Sequence, residues 1–199
     1  RMPVGDSPGS DYTYNIIGCV QNGKCFVADN ARVGTVYQNR LFKYDIASMT
    51  LEQTYVTSNG MRIYEVTALR NGNIALLCGM YTQEVVLISP NMQVLKSINI
   101  AAYPTVPTGQ AQRQRVLSEL IELANGDLML TGWLYDPDYY ADLSPITVTM
   151  SPDLILKKTT TYGMTYPGGF DEAVEVDGTV YTVGSVSISN TRAAFIVAA

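Results

Sequence analysis

Histidine is absent from the 199 residues, and that gap alone removes a good deal of chemistry. Neither a Ser-His-Asp nor a Cys-His arrangement can be assembled from this chain. Three cysteines, two of them spaced C-x5-C, make a poor structural zinc site when no histidine is available. Charge is scarce as well, at 16 % of residues with a formal net charge of −5, where globular proteins average about a quarter. Phosphate backbones and anionic membranes are held by clustered Lys and Arg, which this acidic chain does not have, so neither nucleic acid nor a membrane surface is expected as a partner. Residues 1–10, RMPVGDSPGS, hold neither the apolar centre of a signal peptide nor a membrane-spanning run, and no membrane span is expected. No G-x-S-x-G elbow, no P-loop and no G-x-G-x-x-G after a strand is present, so no cofactor is implied.

What the chain does have is one pattern written four times. Leu117 to Gly132 reads LSELIELANGDLMLTG: an apolar run, a tight turn ending in Gly126, a second apolar run and a closing glycine. Tyr14 to Asp29, Tyr64 to Gly79 and Phe170 to Gly184 repeat the plan. Asn22-Gly23, Asn71-Gly72, Asn125-Gly126 and Asp177-Gly178 are hairpin signals, because these residues accept the positive φ that a reversal between paired strands requires. The strand after each turn, as in LML, IALLC and VYTV, is apolar without clean alternation, which suits a strand covered on both faces. A lone hairpin cannot cover itself twice, whereas stacked copies cover one another.

Each unit continues into two further strands. LFKYDIASMTLEQTYV from Leu41, VVLISPNMQVLKSINI from Val85 and PITVTMSPDLILKKTTTY from Pro145 each run from an apolar strand through a polar turn into a strand tipped with charge. Four strands per unit, with turn glycines about fifty residues apart, fall within the range of propeller blades. In these features the chain resembles the β-propeller repeats of secreted bacterial proteins, with their NGD-type turn, following TG or VG, and D-or-P turn before a charged last strand. The resemblance implies an all-β fold, a β-propeller of about four four-stranded antiparallel blades, and an extracellular or bacterial cell-surface setting. It carries no catalytic residues with it.

The sequence thus divides as a single repeat domain, 1–199, with approximate units 11–60, 61–104, 113–166 and 167–199. The last unit stops at AAFIVAA, its third strand, so the last blade is expected to be incomplete and its edge open. Pro3, Gly5, Pro8 and Gly9 make the opening segment a poor source for the missing strand. An open edge asks for more units, from a second copy or from another stretch of a longer parent, and two copies would make an eight-unit ring.

Local features leave alternatives. Cys19 and Cys25 face each other if the turn at Gln21, Asn22 and Gly23 is a three-residue loop, and lie on opposite faces if it is a two-residue one. Cys78, within ALLCG, reads as a small buried hydrophobe. Ala101 to Gln114 contains Pro104, Pro107 and Gly109 and is irregular. Val116, Leu117, Leu120, Ile121 and Ala124 fall at helical spacing. Alignment with YNIIGCV, YEVTALR and FDEAVEV, all at the same distance from their turns, overrides that spacing in favour of a strand.

The candidate ligand-binding residues are Trp133, Tyr135, Asp136, Asp138, Tyr139, Tyr140 and Asp142, in WLYDPDYYAD. Aromatic faces stack on sugars, and carboxylates accept hydroxyl hydrogen bonds. The bland alternative packs Trp133 in the core and leaves the aspartates to solvate a loop. The D-x-D-x3-D spacing lacks the glycine and final glutamate of a calcium loop, so no metal is assigned. Arg32, Tyr37 and Arg40 in the first unit and Tyr81 in the second are the matching loop residues. Paired carboxylates for glycoside chemistry could be drawn from Asp136, Asp138, Asp171 and Glu172. Pro167 to Phe170, PGGF, reads as a turn and nothing more. Three function classes follow: a non-catalytic extracellular binding or scaffold module for a protein or glycan partner, a carbohydrate-active propeller enzyme, and a structural component of a surface assembly or virion.

Overall fold

The structure, a computed structural model, describes residues 10–33, 36–57, 60–79, 83–100, 114–135, 144–164, 167–188 and 191–198, with backbone alone for 10–16, 31–38, 114–115, 135 and 191. Among the described residues fifteen strands form four antiparallel sheets in strict chain order. Sheet 1 holds β1 (Ser10–Gln21), β2 (Lys24–Val33), β3 (Val36–Asp45) and β4 (Thr50–Val56). Sheet 2 holds β5 (Ile63–Ala68), β6 (Ile74–Cys78), β7 (Glu84–Ile88) and β8 (Val94–Asn99). Sheet 3 holds β9 (Gln114–Glu122), β10 (Leu128–Tyr135), β11 (Ser144–Met150) and β12 (Leu156–Thr161). Sheet 4 holds, among the described residues, β13 (Gly168–Val176), β14 (Thr179–Ile188) and β15 (Thr191–Ala198). This is an all-β fold with no helix among the described residues. The helical spacing in 116–124 gives way to β9, which pairs with β10 from Leu128↔Glu122 to Tyr135↔Gln114.

The four Asn/Asp-Gly turns are of two kinds. In sheets 1 and 4, Gln21↔Lys24 and Val176↔Thr179 close two-residue loops whose central residues, Asn22-Gly23 and Asp177-Gly178, all have positive φ. That is the primed hairpin turn. In sheets 2 and 3 the loop is three residues long. Gly72 N–H bonds Leu69 O and Leu69 N–H bonds Asn73 O, and Gly126, Leu123 and Asp127 repeat the arrangement, each with the glycine alone at positive φ. The two-residue turn in sheet 1 sets Cys19 opposite Phe26 and Cys25 opposite Val20, on opposite faces, so both thiols are free. Cys78 is fully buried.

Two compact units contain these sheets. The first comprises Arg1–Met80 with Val85–Ser97, the second Tyr81–Glu84 with Ile98–Ala199. In the first, Phe26, Ala28 and Leu41 of sheet 1 pack with Ile74, Leu76, Cys78, Val86 and Ile88 of sheet 2. Each of the larger side chains among them, Phe26, Leu41, Ile74, Leu76, Val86 and Ile88, contributes about 1.5–3 kcal/mol on burial. Inner strands are buried on both faces, as every residue of β6 shows. Sheet 4 departs from this: Thr182 is buried, but Tyr181 and Val183 are each 38 % exposed. Phe26 and Ala28, Ala75 and Leu77, and Met129 and Thr131 hold the same places after their turn glycines and are all buried. The expectation that VYTV is covered twice is therefore corrected, because among the described residues sheet 4 carries the alternating pattern of a strand with one open face.

A bulge recurs in the first strand of sheets 2, 3 and 4, between Ile63 and Glu65, at Ser118 beside Leu117, and between Phe170 and Glu172. A bulge leaves backbone groups without ladder partners, and side chains from outside the sheet supply them. Asn30 Nδ2 donates to Ile63 O at 2.8 Å while Ile63 N–H donates to Asn30 Oδ1 at 2.9 Å. Within the second unit Gln83 Nε2 donates to Leu117 O at 2.6 Å, and Leu117 N–H donates to Gln83 Oε1 at 2.7 Å. Ser118 Oγ donates to Phe170 O at 3.1 Å. In each case the residue just before the bulge is the one held.

Two measurements check this. Gln83→Ala orphans a buried N–H and C=O and is expected to lower stability by about 1–3 kcal/mol, read as a lower urea midpoint at unchanged slope. A change under about 0.5 kcal/mol would mean the two groups find other partners. Burial, helped by Cys25 and Glu65, pushes the Cys19 thiol up to about 12. Its alkylation rate, followed by mass spectrometry, is therefore expected to keep rising from pH 8 through pH 10 instead of levelling near the ordinary thiol pKa of about 8.5.

Candidate functional site

Among the described residues a cleft with aromatic and polar walls lies in the second unit, where the end of β10 meets the start of sheet 4. Its volume is ≈ 140 Å³, and Trp133, Gly169, Asp171, Ser185, Ser187 and Arg192 are among its walls. Trp133 is half-buried next to the buried Leu134, opposite Val116 on one side and Pro145 on the other. Its ring lies over Gly169, where an added Cβ would come within 2.9 Å of Cε3 and 3.0 Å of the tryptophan Cβ. Only a glycine permits so close an approach of ring to backbone. The PGGF segment is therefore more than a turn: Pro167, Gly168 and Gly169 all line the cleft.

The polar groups are set by strand register. Asp171 is the bulged residue of β13, so the usual alternation is interrupted there and its carboxylate is exposed beside the buried Phe170. Phe170 is anchored edge-on to Tyr162 at 5.0 Å and against Phe195 at 5.5 Å. Ser185 stands opposite Gly169, and Ser187 opposite Arg192 at the start of β15. Ser187 N–H donates to Pro167 O at 2.9 Å, which ties β14 to the cleft floor. One indole, one carboxylate, one guanidinium and two hydroxyls thus share a recess, a set suited to a polyhydroxylated ligand with an apolar face.

The remaining candidates are not among the described walls of the cleft. Tyr135 ends β10, opposite Gln114, and its side chain lies outside the description. Asp136, Asp138, Tyr139, Tyr140 and Asp142 lie outside the described residues, as does Tyr81. Glu172 stands opposite Val183 and is not part of the cleft wall. Arg32 and Tyr37 pair across β2 and β3, with side chains outside the description. Arg40, expected in a loop, belongs to β3, where its guanidinium bonds the buried Asp29 carboxylate and lies 5.1 Å from the Phe42 ring centre. A buried pair of this kind holds register at a desolvation cost and is spent on structure. No group of three or more metal-ligating side chains occurs among the described residues.

A second charged cluster, at the outer end of sheet 1, is structural too. Lys24 Nζ bonds Asp45 Oδ2 at 2.7 Å and also Glu52. Its ammonium, with the Ser48 amide and hydroxyl, holds the Asp45 carboxyl well below the usual range. Sheet 3 repeats the tie with signs reversed, Lys157 Nζ reaching Asp127 Oδ1 at 2.6 Å. Lys24 and Asp127 each follow a turn glycine. Glu52 and Lys157 are each the extra residue where the last strand's register shifts.

No protein-family model matches the sequence, and no curated protein does. Solved structures do. An α-L-arabinofuranosidase from Podospora anserina in complex with cellotriose matches with TM-score 0.56 and 11 % identity, over 99 % of this chain and 67 % of that one. The polysaccharide lyase Uly1 matches with TM-score 0.57 and 11 % identity, over 92 % and 49 %. The extracellular domain of a putative hybrid two component system from B. thetaiotaomicron matches with TM-score 0.54 and 12 % identity, over 96 % and 23 %. This chain therefore spans between 23 % and 67 % of the length of these proteins. At such identities the likeness speaks to fold alone, and the fold is of the β-propeller class.

The glycine under the indole gives a direct check. Gly169→Ala is expected to lift the Trp133 ring, seen as a red-shifted emission and stronger acrylamide quenching. The chain has one tryptophan, so the signal is unambiguous. Unchanged emission and quenching would show that the ring does not rest on Gly169.

Proposed function

We propose that this chain is a non-catalytic, extracellular carbohydrate-binding module of β-propeller fold, and that the Trp133 cleft is where it takes a sugar. The observation that carries the reading is the gathering of the Trp133 ring, Asp171, Arg192, Ser185 and Ser187 around one recess. An indole face covers the C–H face of a pyranose or furanose ring, the carboxylate accepts its hydroxyls, and the guanidinium and serine hydroxyls donate to its oxygens. Among the described residues the recess has one carboxylate and one guanidinium, and so no net charge to favour an ionic sugar. Solved relatives that act on carbohydrates support the choice of ligand class, and the setting draws on the extracellular domain of similar fold.

The second reading, a carbohydrate-active enzyme, is favoured by those same relatives and by the exposed Asp171 carboxylate in the cleft. Glycoside hydrolysis uses two carboxylates about 5–10 Å apart. Among the described cleft residues Asp171 is the one carboxylate, which is why binding is preferred. The carboxylates of Asp136, Asp138 and Asp142, outside the described residues, stay candidates for a ligand contact under either reading.

A glycan array and a hydrolase screen on the same protein separate the two. Binding is expected without turnover, and a titration with the best glycan should shift Trp133 fluorescence directly. Trp133→Ala should weaken that binding at least about tenfold, the loss of a stacking contact worth about 1.4 kcal/mol, while Asp45→Asn at the outer cluster should leave it unchanged. Turnover that disappears in Asp171→Asn would establish the enzyme instead, and binding indifferent to Trp133→Ala would remove the cleft from consideration.

A further inference from the structure

Three Asn-Gly pairs lie wholly among the described residues, Asn22-Gly23, Asn71-Gly72 and Asn125-Gly126, while Asn59-Gly60 has its asparagine outside them. Such a pair is chemically fragile, because a glycine has no side chain to keep its nitrogen from reaching the asparagine Cγ. The turns restrain the three pairs differently. Gly72 N–H donates to Leu69 O at 2.9 Å, and Gly126 N–H donates to Leu123 O at 2.8 Å. The carboxamides are held as well, Asn71 Oδ1 accepting the Asn73 amide proton at 3.0 Å and Asn125 Oδ1 that of Asp127 at 2.9 Å. Pro90 and Pro152 flank these two glycines, each 3.8 Å from where a Cβ would stand. All three restraints are missing from the first hairpin. Among the described residues Gly23 N–H has no acceptor, the Asn22 carboxamide has no partner, and a Cβ on Gly23 would meet nothing within 4 Å. Both residues are exposed. Gly23 is tied through its carbonyl, which accepts the Ile46 amide proton at 3.0 Å, and that bond belongs to the following peptide unit.

We propose that Asn22 is a site of self-catalysed deamidation, the first of these three asparagines to react, with water as the co-reactant. Hydroxide takes the Gly23 amide proton, the nitrogen bonds to Asn22 Cγ, and the Cγ–Nδ2 bond breaks as ammonia leaves with a proton from water. Water then opens the cyclic imide at either carbonyl, so that one water is consumed and one ammonia released. Opening at Cγ restores the main chain with an aspartate in place of Asn22. Opening at the main-chain carbonyl routes the chain through Cγ and leaves isoaspartate. The two products fit the turn unequally. Asp177-Gly178 closes the same kind of two-residue loop in sheet 4, so an aspartate is accommodated. Isoaspartate adds a methylene to the main chain and upsets the match between a two-residue loop and the Gln21↔Lys24 pair. Gln21 also donates from Nε2 to Leu69 O, so the damage reaches a tie between sheets 1 and 2 within the first unit.

The full chain is kept in mildly alkaline buffer, and peptide mapping by mass spectrometry follows the amide-to-acid conversion at each site. Closing the imide in sheets 2 and 3 first breaks two hydrogen bonds, and at Asn22 none. Asn22 should therefore convert at least about fivefold faster than Asn71 and Asn125, the factor that two ordinary hydrogen bonds supply. In concentrated urea the turns are gone and the three rates should converge. The isoaspartyl fraction, separated chromatographically, should unfold at lower urea than Asn22→Asp, which should keep the wild-type midpoint. Equal rates in the folded chain overturn the proposal. So does a ranking that urea leaves unchanged, or an isoaspartyl fraction as stable as Asn22→Asp.

Discussion

A thin antiparallel sheet buries its inner strands on both faces only if other sheets lie against it, and ladder hydrogen bonds do not run between stacked sheets. Apolar contact alone would hold two such layers together without fixing their register. In this protein the register comes from polar side chains that imitate a missing strand. Asn30 gives Ile63 both a donor and an acceptor, and Gln83 does the same for Leu117. A primary amide is the one side-chain group that matches a peptide unit in both respects. The bulge in the receiving strand turns its backbone outward to meet it, so bulge and amide belong to one device.

The outer turns rest on a different balance. Met92 and Leu154 occupy positive φ, a region costing an ordinary side chain about 1–2 kcal/mol. Both are buried, and burying such a side chain returns about 1.5–3 kcal/mol. Burial therefore outweighs strain, and glycine, which removes the strain, would also remove the anchor. Ser89 and Ser151 reinforce the turns, each hydroxyl accepting the amide proton four residues on, from Gln93 and Ile155. Met49 has the same backbone but is exposed, and Asp45 stands where the serines stand elsewhere, taking up the Ser48 amide.

Much of this was legible in the residues. Four Asn/Asp-Gly turns, their spacing and the apolar runs about them specify hairpins and the strand order within each sheet, and alignment across copies rightly outweighed the helical spacing of Val116 to Ala124. Loop length was not legible, because Asn22-Gly23 and Asn71-Gly72 look alike while one closes a two-residue loop and the other ends a three-residue one. That choice is made by register several residues away. Nor could the sequence announce Arg40 as the partner of Asp29, since the pairing depends on both lying inside sheet 1 and not in a loop. The ion ties at Lys24 and Asp127 escaped a position-by-position comparison because their signs are reversed, and a tie needs opposite charges without caring which strand holds which.

The cleft shows how a repeat makes room for a site. Counting seven residues from the turn glycine reaches Asn30 in sheet 1 and Trp133 in sheet 3. In the first unit that position anchors the neighbouring sheet by hydrogen bonds to Ile63. In the second it sets an indole on Gly169, beside the start of the neighbouring first strand, while Ser118 takes over the hydrogen bond, to Phe170. An amide bonded to backbone in both directions is used up, whereas an aromatic ring resting on a glycine has spent one face and keeps the other. Trp133 therefore packs on the neighbouring strand and still lines the recess, so packing does not use up the whole ring. The glycine pair after Pro167 is what makes this possible: any side chain at Gly169 would lift the ring, and Asp171, carried outward by the bulge two residues later, would lose its neighbour across the recess.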